Sequence, residues 1–355
     1  MTTTAPVRQP TAHLTGRGRR SVLPGLTAAV VVAVSASAIG KLLPLLGAPV
    51  AGILLGVLLS SKARKQASLG PGIAVAAGVV LQLAVVLLGS QLSLGEVADV
   101  GLSSLPVMLG TLAACLTAAW LLGRRMGIDG DLRTLIGVGT GICGASAIAA
   151  VSPVIKARSN TIAYAMPTIF LFNVAAVLLF PPLGHLLHLS QDTFGLFAGT
   201  AVNDTSSVVA AASTYGPEAA NHAVVVKLTR TLMIIPICLG LSALVARRQG
   251  GDSCVENTVR WGMGGVVGRA LRLVPRFLIG FLLVAAANSL GLVPAGAHPP
   301  LQGASVFLIT VALAAIGMST DIAGLRRAGA RPLLLGGTLW VIVTATSLLL
   351  QWSAG

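Results

Sequence analysis

Asp204, Lys227 and Arg230 place three ionisable side chains inside apolar runs of the chain. An unpaired charge at the centre of a bilayer costs at least about 2.5–3.5 kcal/mol, so such groups are kept where they compensate one another or bind something. Lys227 and Arg230 stand three residues apart and share a helical face. Two fixed cations and one carboxylate leave a net positive pocket. That balance suits an anion held by Lys227 and Arg230, with Asp204 competing with it or carrying a coupling proton or sodium ion. Asp321 is a second, weaker candidate for the coupling ion: it follows an apolar run, where solvation or capping of the next turn explains it equally well.

Asp204 sits in a polar row. The stretch "GTAVNDTSSVVAAA", residues 199 to 212, holds Asn203, Asp204, Thr205, Ser206 and Ser207 without a break. A second stretch is related to it: "VGTGICGASAIAAV", from Val138, aligns with "AGTAVNDTSSVVAA", from Ala198, at one constant offset. Gly139-Thr140 fall over Gly199-Thr200, and Ser146 over Ser206. Two segments interrupted by Gly, Thr and Ser in corresponding positions are the pattern of broken membrane helices, whose exposed ends offer N–H or C=O groups to a solute or ion near the midplane. Helix N-termini there add to the attraction for an anion. The candidate substrate-binding residues are therefore Thr140, Gly141, Cys143, Gly144, Ser146, Thr200, Asn203, Thr205 and Ser206 with Lys227 and Arg230. Thr140, Asn203 and Ser206 also offer oxygen ligands to sodium.

Catalysis and cofactors find little support. Cys143 or Ser146 as a nucleophile would need a base, and neither polar segment contains a histidine; His185, His188 and His298 fall in polar breaks, and His222 opens an apolar run beside Glu218. Cys115, Cys143, Cys238 and Cys254 form no CxxC and no metal spacing with histidine. No catalytic residue, metal or cofactor is assigned. No GxxxxGK[ST] is present, so transport would draw on a gradient rather than on ATP hydrolysis by this chain.

The elements that must position these groups follow from composition. Hydrophobic residues make up 55% and charged residues 10%, with a mean hydropathy of +0.89, whereas soluble chains carry about 25% charged residues. This is an all-α polytopic membrane protein in contact with the lipid bilayer. Eleven apolar runs are long enough to cross: 22–39, 44–60, 72–90, 104–123, 134–155, 161–181, 193–213, 222–246, 274–290, 301–318 and 332–352. They form a single transmembrane domain, 22–355, preceded by a basic tail, 1–21. Arg17, Arg19, Arg20 and the Ala36-Ser37-Ala38 triplet imitate a cleavable signal, but a retained first helix explains them as well.

The net charge of +14 would suit nucleic acid, yet its distribution and the 4% aromatic content speak against it. Most Lys and Arg lie in the tail and in breaks 61–70, 124–133, 247–276 and 319–331, all on one side if the N-terminus is inside, while Glu96, Asp99 and Glu218 lie opposite. The positive-inside rule then gives an inner-membrane protein with a cytoplasmic N-terminus. One pair of features resists: Lys156 and Arg158 would face outside, and "GHLLHLSQD" inside without a single Lys or Arg. Both anomalies vanish if runs 134–155 and 193–213 are re-entrant. Eleven spans, or nine spans with two re-entrant segments, therefore both stand.

"LGSQLSLGEVADVGLSSLPVMLGT" from Leu88 resembles "IGMSTDIAGLRRAGARPLLLGGT" from Ile316, with Gly89 over Gly317 and Gly101 over Gly329. The first turns on the acidic side and the second on the basic side. Related segments in opposite orientation mark an inverted repeat, on which many transporters alternate access.

"GTGICGASAIAAVSPVIKA", "AGTAVNDTSSVVAA" followed by "VVKLTRTLMIIP", and "AIGMSTDIAGLRRAGARPLLLG" together resemble the YeiH-like sulfate exporter family of bacterial inner-membrane proteins, from about residue 40 to the C-terminus. The family is similar to the bile-acid symporter and cation/proton antiporter folds, which implies crossed broken helices and a core packed on a panel. Where the resemblance leads one to expect histidine beside the aspartate, this chain has Asn203. The resemblance implies export of a small anion such as sulfate or a sulfonate; a sodium- or proton-coupled carrier of another organic solute, using Asp204, is the alternative. Association into a homo-oligomer stays open.

Overall fold

A computed structural model describes residues 21–42, 47–238, 240–241, 276–320 and 329–354. The basic tail 1–20, the charge cluster at 247–275, Cys254, Asp321 and the basic turn of the second repeat copy lie outside the described residues. All regular structure among the described residues is helical. Spanning segments must satisfy their backbone groups internally, and helices do so within one segment.

The helices are α1 (Leu23–Leu42), α2 (Gly47–Lys65), α3 (Gly70–Gln91), α4 (Leu94–Ser103) and α5 (Leu105–Arg125). There follow α6 (Gly130–Gly141), α7 (Ala145–Val154), α8 (Ser159–Leu186), α9 (Gln191–Ala201) and α10 (Thr205–Tyr215). The last four are α11 (Pro217–Leu232), whose run continues to Cys238, α12 (Arg276–Ser289), α13 (His298–Ser319) and α14 (Ala330–Ala354). Among the described residues, seven helices are long and apolar enough to cross a membrane: α1, α3, α5, α8, α11, α13 and α14. Helix α2 closes on Lys62, Arg64 and Lys65. Helix α4 was not foreseen, although Ser93 and Glu96 form a reciprocal capping box that an S-x-x-E spacing announces.

Runs 134–155 and 193–213 are each broken into two short helices, and each pair is a hairpin that returns to its side of entry. Asp129, just before α6, lies 3.8 Å from Arg158, just after α7. A straight pair would separate those residues by the length of both helices, about 1.5 Å per residue. In the second hairpin the Tyr215 hydroxyl donates to the Leu189 carbonyl at 2.5 Å, the Glu218 amide donates to Gln191 Oε1 at 3.0 Å, and Tyr215 stacks on Phe194 at 3.8 Å between ring centroids. Both runs are thus re-entrant hairpins, and seven of the nine other runs form helices long and apolar enough to cross among the described residues. Lys156 and Arg158 return to the side that carries Lys62, Lys65, Arg124, Arg125 and Arg133, and the break after α8 joins the side of Glu96 and Glu218.

The helices that flank the two repeat copies pack against one another. Helices α3 and α13 run antiparallel: Gln91 Nε2 donates to the His298 carbonyl at 3.2 Å and Ser305 Oγ to the Ala84 carbonyl at 2.8 Å. Helices α5 and α14 are also antiparallel, with Gly110 against Leu350 and Gly123 against Leu335. Helices α2 and α13 cross at Gly56 and Gly317, where a Cβ on either would lie 2.9 Å from the other's Cα, an approach that small residues permit in membranes. One buried cluster joins the hairpins to α5, α8 and α14, and another joins α1, α2, α3 and α13.

Candidate functional site

The tips of the two hairpins meet. The first tip is Ile142, Cys143 and Gly144; the second is Val202, Asn203 and Asp204. Gly144 has φ +69°, the left-handed region that favours glycine, and it faces the second tip: a methyl there would meet Asp204 Cβ at 3.4 Å. Thr140 and Gly141 end α6, with Gly141 packed against Leu112 and Cys115 of α5. Cys143 Sγ lies 3.1 Å from the Ser146 hydroxyl, which also donates to the Cys143 carbonyl at 3.1 Å.

Lys227 is fully buried, and its ammonium donates to the Ile142 carbonyl at 2.8 Å and the Val202 carbonyl at 2.7 Å. These are the residues that close α6 and α9, so one cation caps the negative ends of two half-helices and ties the tips together. Arg230, also fully buried, donates from Nη1 to the Thr200 carbonyl, while its Nε and Nη2 have no hydrogen-bond partner among the described residues. The Thr200 hydroxyl is engaged by the Leu196 carbonyl and by Ser347 of α14 at 2.6 Å. The Thr140 hydroxyl and both amide atoms of Asn203 are buried without a partner among the described residues. Among the described residues, Asp204 and Lys227 form no ion pair.

The other ends of the half-helices face open space. Asp204 caps α10, its carboxylate accepting from the Ser206 amide at 3.0 Å and from the Ser206 hydroxyl. Its own amide donates to Asn173 Oδ1 on α8 at 3.1 Å. A cavity of about 830 Å³ is lined by Ala145 and Ser146 at the start of α7 and by Asp204, Thr205, Ser206 and Ser207 at the start of α10. Its walls add Asn173, Thr231, Gln82 and an apolar surface that includes Met166, Phe170 and Phe277. The lining reaches Ser319 and Thr320, at the basic end of α13.

The structure therefore gathers ten of the sequence-derived residues at the two tips and on α11 behind them: Thr140, Gly141, Cys143, Gly144, Ser146, Asn203, Asp204, Thr205, Ser206 and Lys227. Those in the cavity wall are Ser146, Asp204, Thr205 and Ser206. Lys227 and Arg230 stand behind the tips, and Thr200 is turned toward α14. Sequence reasoning missed Asn173, a lone amide in an apolar run, and the π turn Ala76–Val80 of α3, which brings Ala77 and Gly78 to the cavity. Asn173 had a signal in its polarity; the π turn, in an ordinary apolar stretch, had none.

A family model described as "Conserved hypothetical protein 698" matches residues 24–336. The chain is similar to the UPF0324 membrane protein of Streptococcus pyogenes serotype M3, at 43% identity over 344 residues, covering 94% of this chain and 97% of that relative. A UPF0324 membrane protein of Streptococcus agalactiae serotype V is 40% identical over 339 residues, covering 93% and 96%. One of Streptococcus pneumoniae is 40% identical over 335 residues, covering 92% and 96%.

Proposed function

The chain belongs to the family of conserved hypothetical protein 698, with the UPF0324 membrane proteins among its relatives, and on that premise we propose that it is a secondary active transporter of a small anion. The observation that carries this reading is the pair of opposed hairpins whose half-helix N-termini, Ala145-Ser146 and Thr205 to Ser207, line one cavity. The positive ends of the helix dipoles there attract an anion, with the Ser206 amide already taken by the Asp204 carboxylate. Lys227 and Arg230 act from behind the tips: their charges offset the helix C-termini and leave the N-termini as the dominant field in the cavity. Sulfate and small sulfonates are the first substrates to test, and export across a bacterial inner membrane, with the basic side cytoplasmic, is the direction proposed.

Asp204 in the same wall supports gradient coupling. A carboxylate beside the anion repels it until a proton or cation neutralises the group, so anion and coupling ion are linked at one site. The test is uptake of labelled sulfate, taurine and other small anions into proteoliposomes, with and without a pH or sodium gradient. Wild-type protein is expected to move an anion against its gradient, and Asp204→Asn to retain anion exchange while losing gradient dependence. No anion flux under any gradient, or unchanged coupling in Asp204→Asn, overturns the reading.

A further inference from the structure

Lys227 raises a question that anion transport does not answer. In transporters built on broken helices, unwound carbonyls and half-helix C-termini coordinate the driving sodium ion. Here those groups are present and arranged between the tips: the carbonyls of Ile142 and Val202 close α6 and α9 and converge on one point. That point holds the Lys227 ammonium, at 2.8 and 2.7 Å from the two oxygens, with no exposure of the side chain. Two further oxygens suited to a cation, Thr140 Oγ1 in the last turn of α6 and Asn203 Oδ1 on the second tip, are buried and have no partner among the described residues.

We propose that Lys227 is a built-in cation occupying the monovalent-cation site between the hairpin tips, so that the protein neither binds nor needs sodium there. The ammonium carries the same single charge as sodium, meets the same negative helix ends, and is covalently fixed. It cannot leave during the transport cycle. A fixed charge stabilises the tips in every state but stores no gradient, which leaves Asp204, on the cavity side, as the group whose ion exchanges. This coupling consequence rests on the transporter reading; the cation site itself does not.

The inference separates Lys227 from an ordinary helix cap. A cap is replaced by another hydrogen-bond donor, whereas a resident cation is replaced by a free one. Purified wild type, Lys227→Ala, Lys227→Gln and the double variant Lys227→Ala/Asp204→Asn are melted in detergent in sodium, potassium or choline chloride at equal ionic strength, with no anion substrate required. Wild-type curves should coincide in sodium and choline. The midpoint of Lys227→Ala should rise by about 3 °C or more from choline to saturating sodium, as binding to the folded state alone requires, and the double variant should keep that rise, which places the ion at the tips and not at Asp204. If Lys227→Ala cannot be purified in choline, extraction in sodium must recover it. A sodium-dependent shift in wild type, an absent shift in Lys227→Ala, its loss in the double variant, or failure of both Lys227 variants to fold even in sodium overturns the proposal. A loss of anion transport with the sodium shift intact would strike the transporter reading alone.

Discussion

Gly144 combines the two demands made of a residue at a hairpin tip, a turn of the chain and a close neighbour. Its φ of +69° lies where an L-residue is strained by about 1–3 kcal/mol, yet a methyl there would meet Asp204 Cβ at an ordinary 3.4 Å. The strain is therefore conformational and not steric. Gly141 is the contrast: its backbone is helical, and a methyl would press on Leu112 Cδ1 at 3.1 Å, a flexible neighbour able to yield. Gly144→Ala is expected to lower the apparent melting midpoint and anion flux more than Gly141→Ala, measured on detergent-purified protein and in proteoliposomes. Equal losses would mean that packing, not the left-handed turn, governs the tip. At this scale the sequence was informative wherever polarity clashed with surroundings, as at Asp204 and Lys227. It was silent on partners: the acceptors of Lys227 are backbone carbonyls from two distant segments, and a carbonyl has no sequence identity to read.

Hairpin topology was written in charge before it was visible in contacts. Lys156 and Arg158 violated the positive-inside pattern of an eleven-span chain, and the Asp129–Arg158 approach and the Leu189–Tyr215 hydrogen bond remove the violation. Run length could not decide, because two antiparallel half-helices contain as many apolar residues as one span. The hairpins also explain why α6, α7, α9 and α10 are short: each needs to reach only the midplane, roughly half of the ~30 Å hydrocarbon core. In a background with the native cysteines replaced, a cysteine at position 190 is expected to react with a membrane-impermeant thiol reagent in intact cells, while one at position 159 reacts only after permeabilisation. The reverse pattern would show that the first pair, α6 and α7, spans the membrane, and labelling of both from one side would show that α8 does not cross it.

The cavity lies between two groups of helices, α2, α3, α12 and α13 on one wall and α7, α8, α10 and the end of α11 on the other. Toward the acidic side the same groups are packed shut: Val50 and Ile53 of α2 and Ile309 and Leu313 of α13 join Val209 and Ala210 of α10 in one buried cluster. On the proposed transporter reading, an inverted repeat would make the two ends of such a seam near-equivalent, and opening one end while closing the other would require only that the groups rock about the tips. The stability of the open-to-basic-side state then rests on that apolar seal. Truncating one well-buried isoleucine removes about 2 kcal/mol or more, and about 1.4 kcal/mol shifts a two-state equilibrium tenfold. Ile309→Ala, fully buried in the seal, should therefore raise the population open to the acidic side. The reporter is Ser207→Cys in the cavity wall. Alone it should react with impermeant reagent only from the basic side, in inverted vesicles; combined with Ile309→Ala it should also react in intact cells, with monodispersity on size exclusion showing that the protein remains folded. Unchanged labelling in the double variant would place the closure elsewhere and rule out rocking of these two groups as the way the site changes sides.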